Sequence, residues 1–207
     1  MISLFIDTSL DNVSISIIRD GKILALRQEN IPNKHSVYAT SFIKKVIDDS
    51  EIKPDMVEKI MVVTGPGSFT GVRIGVTIAK TYGYLIKRGI VPVSSLKALA
   101  ISAEFKGVVM SVIPANKSSY YVGIYDSEYN ELIDEKNASI EEIVKLIDEY
   151  QPYIVGVKEM NIGEKKVISE RLDVLKIVNY YMDKEEVNYF KLVPNYLKLP
   201  QALEDRK

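Results

Sequence analysis

The chain contains no cysteine, which removes disulfides, thiol nucleophiles and every cysteine-ligated zinc or iron–sulfur site. Histidine is nearly absent too, with His35 the only one among 207 residues. A metal site needing two imidazoles from one chain is therefore excluded, while carboxylate-only magnesium sites stay open. Charge of one sign is also lacking: Lys+Arg at 27 against Asp+Glu at 28 leave a net charge of −1. No overall positive field exists to hold a polyphosphate chain, which argues against autonomous tight binding of tRNA or DNA. No apolar stretch approaches the roughly 20 residues of a membrane span. The opening residues, Met1 to Ile6, are strand-like and lack the basic segment and long apolar run that export requires. The expectation is a cytoplasmic protein with no membrane contact. What is present is 46% hydrophobic residues, enough for one large domain or two small ones.

Residues 2 to 28 hold three apolar, β-rich runs, "ISLFID", "NVSISIIR" and "KILALRQ", with Asp20-Gly21 as a two-residue hairpin signal between the last two. From Ser36 the spacing turns helical, placing Ala39, Phe42, Ile43, Val46 and Ile47 on one face until a break near Pro54. "KIMVVT" reads as a buried strand. A long helix then runs to about Lys87 and is ended by Gly89, followed by the strand "IVPV" and a helix capped by Ser94 or Ser95. A second set follows: strands near 107 to 113, 119 to 125 and 131 to 134, and a helix from about Ile140 with Ser139 and Glu142 as a capping box. "YIVGV" is a further strand, and Glu164 to Val178 is expected to be helical. The spacing predicts two meander-plus-α/β halves, 1–104 with the glycine-rich stretch and a smaller 105–207.

"VTGPGSFTGVRIG", Val63 to Gly75, packs four glycines and a proline into a strand-to-helix junction. It is not a dinucleotide fingerprint, because Gly65 and Gly67 are followed by a three-residue gap before Gly71. It is not a P-loop, which needs Lys-Ser or Lys-Thr where this chain has Val72-Arg73, and Ser68 lacks the G-x-S-x-G frame of a nucleophile elbow. Two readings remain: a helix N-terminus offering free N–H groups to an anion, with Ser68 or Thr70 as N-cap, or a tight turn without ligand. In the helix, Gly71, Gly75, Ala79 and Gly83 recur every fourth residue and make one bare row. Each interior glycine costs about 1 kcal/mol relative to alanine, so close packing must return that energy. The neighbour is either the helix near Ser36 or a partner chain, and the wide apolar arc favours the partner.

"GPGSFTGVRIG" resembles the signature of the bacterial TsaB (YeaZ) family. "LFIDTS" at Leu4 to Ser9, the His35-Ser36 pair, "PVSSLKALA" at Pro92 to Ala100 and "VPNYLK" at Val193 to Lys198 extend the resemblance, densely in the first half and sparsely in the second. The resemblance implies an α/β, actin-like ATPase (ASKHA, ribonuclease H-like) fold in two related subdomains. It also implies a non-catalytic role in threonylcarbamoylation of the anticodon-adjacent adenosine of tRNA. The implied partners are a catalytic TsaD-like subunit and a TsaE-like ATPase, with tRNA met only within the complex and a homodimer when the chain is isolated. On that reading the partner interface comprises His35, Ala39, Phe42, Ile43, Gly71, Val72, Gly75, Val76, Ala79 and Gly83. The H-x-x-x-H pair of the catalytic relative is not repeated, since Ala39 stands four residues after His35.

Asp7, Thr8 and Ser9, with Gly65, Gly67, Ser68 and Thr70, stand where actin-like ATPases contact nucleotide. The alternative is a vestigial turn capped by Asp7. No cofactor is required by the resemblance, and ATP or ADP at a partner interface is compatible with it. Two places depart from the family pattern, Pro114 to Lys117 and Lys198, the latter a point charge where an arginine fork is usual. Two rival functions stay open, a stand-alone ATP-dependent enzyme and, more weakly, a peptidase.

Overall fold

A computed structural model describes residues 1–31, 35–116 and 118–197. The opening run builds a β-meander: β1 (Ile2–Asp7), β2 (Asn12–Arg19) and β3 (Lys22–Asn30). Asp20 and Gly21 both take positive φ, 48° and 72°, the twist that a two-residue hairpin demands. β4 (Lys59–Gly65) joins parallel to β1, and β5 (Ile90–Ser94) parallel to β4, giving the order β3-β2-β1-β4-β5. Every residue of β1 and β4 is buried, as expected of strands covered on both faces.

A second sheet has the order β10-β11-β9-β6-β7-β8, with β6 (Val109–Pro114), β7 (Ser119–Tyr125), β8 (Glu131–Ser139), β9 (Tyr153–Gly156), β10 (Met160–Ile162) and β11 (Lys165–Ser169). Three cores divide the molecule into five layers. Leu4, Ile6, Ile60 and Val62 face α1 (His35–Asp49) and α2 (Phe69–Ile86) on the outside of the first sheet. Phe5, Met61 and Val93 point the other way, meeting α3 (Ser95–Ser102), α5 (Val174–Tyr181) and Val109, Ile113 and Val155 of the second sheet. α4 (Ile140–Tyr150) covers the far side of that second sheet. Two sheets in this layered arrangement, each led by an antiparallel meander, are the mixed α/β architecture of the actin-like ATPase fold.

Several local expectations need correction. Glu164 to Val178 is not one helix. Gly163 turns at φ +60°, β11 pairs with β10 and β9, and only from Asp173 does a helix start, its carboxylate accepting from Lys176 N at 3.0 Å. Along Lys165 to Ser169 only Val167 is buried, so the segment fits a half-exposed strand. β8 runs on to Ser139, and α2 stops at Ile86 with Lys87 itself in the left-handed region (φ 58°). The capping box of Ser139 and Glu142 and the cap at Ser94 are present.

After α5 the chain returns to the first sheet. Val187 exchanges two backbone hydrogen bonds with Ile90, at 3.0 and 2.8 Å. Leu192 enters the core under α2, and Asn195 N donates to Thr64 O at 2.8 Å.

A polar tie also crosses between the halves. Glu135 of β8 accepts from Tyr125 Oη at 2.7 Å and from Ser94 Oγ at the end of β5. Burial raises the Glu135 pKa above the ordinary glutamate value, more than the hydrogen bonds from Ser94 and Tyr125 lower it. The folded state thus favours the protonated form, and that stabilisation, complete below the ordinary value, is lost as pH rises through the raised one. Glu135→Gln is neutral throughout, so its melting temperature should gain on that of the native chain between pH ~4 and pH ~7. A melting difference that stays constant over this range would show that Glu135 is not titrating against the fold.

Candidate functional site

β1 and β4 are parallel neighbours, so their carboxyl ends bring Asp7-Thr8-Ser9 beside the glycine-rich turn. Asp7 Oδ1 accepts from Ser9 N at 2.8 Å and Ser9 Oγ at 2.7 Å, folding the strand end into an Asx turn. Thr8 Oγ1 donates to Gly71 O at 2.7 Å, and Ser68 N donates to Ser9 O at 2.8 Å. Ser68 is the N-cap of α2, accepting from Gly71 N at 3.3 Å, while Thr70 sits exposed in the first turn. The glycines serve this contact: a Cβ on Gly67 would overlap Ser9 O, and one on Gly71 would overlap Thr8 O. Gly65, at φ +104°, has Asn195 O on its open side. Much of the polar capacity expected to meet a phosphate is spent within the chain.

In front of this junction lies a cleft of about 830 Å³ between the two halves. Ser9, Asn12 and Ser68 line one wall, and Asn116, Lys158 and Glu170 the other. Asp7 and Thr8 are buried behind it. Its charged lining, among the described residues, is Asp11, Glu170 and Lys158, a balance of −1 that opposes a polyphosphate. Burial is the largest influence on Glu170 and raises its pKa, with Lys176 acting in the opposite direction. Among the described residues no group of three His, Asp or Glu side chains is arranged to hold a metal ion. Lys117 and Lys198 lie outside the described residues, as does the side chain of His35.

The bare row of α2 requires a correction. Gly71, Val72, Gly75, Val76, Ala79 and Gly83 are all buried within the chain, as are Ala39, Phe42 and Ile43 of α1. What approaches the helix backbone belongs to the chain itself: a Cβ on Gly75 would lie 2.5 Å from Thr8 Oγ1, just past β1, and one on Gly83 2.9 Å from Arg88 O, in the turn before β5. These residues hold α2 down and are not free for a partner.

The free surface is on the opposite edge of α2 and on the returning segment. Phe69 and Tyr84 are exposed there with Phe190, Val193 and Tyr196, Val193 by 67% and Phe190 by 70%. Phe69 and Tyr196 meet at 5.4 Å with their rings tilted by 31°, and Tyr84 meets Tyr189 at 5.8 Å and Phe190 at 6.1 Å. Sequence reasoning missed this face, because Phe69, Arg73 and Tyr84 fall on the polar flank of the helical wheel. The signal was an apolar arc too wide for one sheet, followed by an aromatic-rich ending.

Residues 29–179 match a family model described as TsaD: tRNA N6-adenosine threonylcarbamoyltransferase. The chain is 32% identical over 153 residues, 71% of each protein, to the tRNA threonylcarbamoyladenosine biosynthesis protein TsaB of Buchnera aphidicola subsp. Schizaphis graminum. The chain belongs to this family, among its TsaB (YeaZ) members. The TsaB protein of Bacillus subtilis is 27% identical and aligns with 98% of this chain and 96% of its own length. The solved structure of YeaZ from Pseudomonas aeruginosa superposes with a TM-score of 0.79 over 95% of this chain and 99% of that one, at 22% identity, and so shares the fold.

In this chain the glycine-rich stretch from Gly65 to Gly75 acts as a packing device. Gly71→Ala should destabilise the chain by about 1–3 kcal/mol despite the better helix propensity of alanine. In thermal melts that is a loss of roughly 5 °C for a chain of this size. Gly75→Leu should be worse, and unchanged melting in both would contradict the docking of α2 on Thr8.

Proposed function

We propose that this TsaB-family chain is a non-catalytic support subunit in threonylcarbamoylation of the anticodon-adjacent adenosine of tRNA, pairing with a TsaD-like catalytic subunit. The names of its relatives supply the reaction, and the exposed aromatic edge of α2 supplies the means of pairing. Phe69, Tyr84, Phe190, Val193 and Tyr196 are large exposed side chains on one edge, of the kind that marks protein interfaces. In the same reading a TsaE-like ATPase joins the assembly, tRNA is met only within it, and the isolated chain covers this face with a second copy. The setting is the cytoplasm. The cleft needs no cofactor for this role, and ATP or ADP would sit between subunits.

Val193→Arg, at an exposed position on this edge, should weaken the complex with the TsaD-like subunit at least about tenfold in calorimetry, with no change in the melting temperature of the isolated chain. Equal affinity in the variant would remove this edge from the interface. The rival reading, an ATP-dependent enzyme acting alone, is tested on the isolated chain with ATP and magnesium. The cleft's charge balance leads us to expect no binding tighter than ~1 mM. Tighter binding with turnover would overturn the non-catalytic reading.

A further inference from the structure

Arg73 stands on the exposed edge of α2 in a fixed pose. Its Cζ lies 4.1 Å from the centre of the Phe69 ring and 6.0 Å from that of Tyr196, and its Nε donates to Tyr196 Oη at 2.8 Å. Most exposed arginines sample many rotamers, and ordering one on binding costs side-chain entropy. Here two aromatic rings and a hydrogen bond have already restricted that freedom. The remaining edge of the guanidinium, Nη1 and Nη2, has no hydrogen-bond or ion-pair partner among the described residues. That edge is the planar fork that grips a carboxylate or phosphate through two parallel hydrogen bonds.

The surroundings decide between those anions. The hollow beside Arg73, about 580 Å³, is lined by Val76, Thr77, Lys80, Leu192, Val193 and Pro194 together with Tyr196, and contains no carboxylate among the described residues. Lys80 Nζ already donates to Leu192 O at 3.0 Å, fixing the returning segment. A polyanionic backbone would need a broad basic surface, whereas the hollow is lined by two cations, Arg73 and Lys80, with Lys87 over the Tyr84 ring further along the same edge. An arginine and a tyrosine beside exposed apolar side chains such as Phe69 and Val193 are the composition of a protein-binding hot spot.

We infer that Arg73, clamped by Phe69 and Tyr196, is the anchor of the pairing interface and receives a carboxylate side chain of the partner protein, set beside an apolar residue that fills the hollow. This rests on the pairing proposed above. Phe69 and Tyr196 act as positioning residues, since they restrict the guanidinium without supplying charge.

The test uses the full chain and the TsaD-like subunit in calorimetry. Arg73→Gln should weaken the complex at least about tenfold while leaving the melting temperature unchanged. Arg73→Lys should recover only a small part, because an ammonium lacks the fork. Raising salt from ~50 mM to ~500 mM should weaken the native complex more steeply than the Arg73→Gln complex, a difference that lost packing alone would not produce. Tyr196→Phe, which keeps the ring and removes the hydroxyl, should give a smaller loss with the native salt dependence. Native affinity in Arg73→Gln would overturn the anchor and leave the pairing standing, whereas no complex with the native chain would overturn both. An Arg73→Gln variant that keeps the partner but loses ADP or tRNA from the assembly would assign the fork to phosphate and overturn the carboxylate.

Discussion

The contact on which the first half of the molecule depends is the seating of the β1 end against the start of α2. Thr8 and Ser9 reach the glycine turn through backbone oxygens and one hydroxyl, at separations that leave no space for a Cβ on Gly67 or Gly71. Backbone-to-backbone contact of this closeness fixes the helix over the sheet, and so the direction of its outer edge. It also sets one wall of the cleft, because Ser9 and Ser68 stand on either side of the same contact. An alanine row would give a better helix and a worse site for it.

The placement of polar groups follows from this seating. In a phosphate-binding turn, successive N–H groups point outward to a ligand. Here Ser68 N is taken by Ser9 O, Gly71 N by Ser68 Oγ, and Asp7 turns back on Ser9. The junction keeps the shape of a ligand-binding strand-to-helix turn while using several of its donors internally. The cleft in front of it has amide and hydroxyl walls with little positive charge.

Much of the architecture was legible from residue pattern alone. The hairpin at Asp20-Gly21, the buried β1 and β4, the capping box at Ser139 and the two successive sheets all have local causes. Where the reading failed, the deciding contact lay elsewhere in the chain. Lys165 to Ser169 carries residues compatible with a helix, and it is a strand because β9 and β10 offer it partners. The small-residue row correctly announced a close neighbour, but spacing cannot say which one. Only the register of β1 beside β4 shows that Thr8 arrives there first. The exposed edge was the least visible feature, because its members come from residues 69–84 and 189–196, and no window along the chain contains both.

That last fact bears on how the molecule is made. The exposed edge is a composite of an early helix and the segment that follows α5, which must first zip onto Ile90 and Thr64 through Val187 and Asn195. Both sheets therefore precede it in synthesis, and the aromatic clamp around Arg73 lacks Tyr196 until the returning segment has emerged. A chain still being translated has the helix without the finished surface. For the pairing proposed above, this means that the edge a partner would meet is complete only once the returning segment has docked on the first sheet.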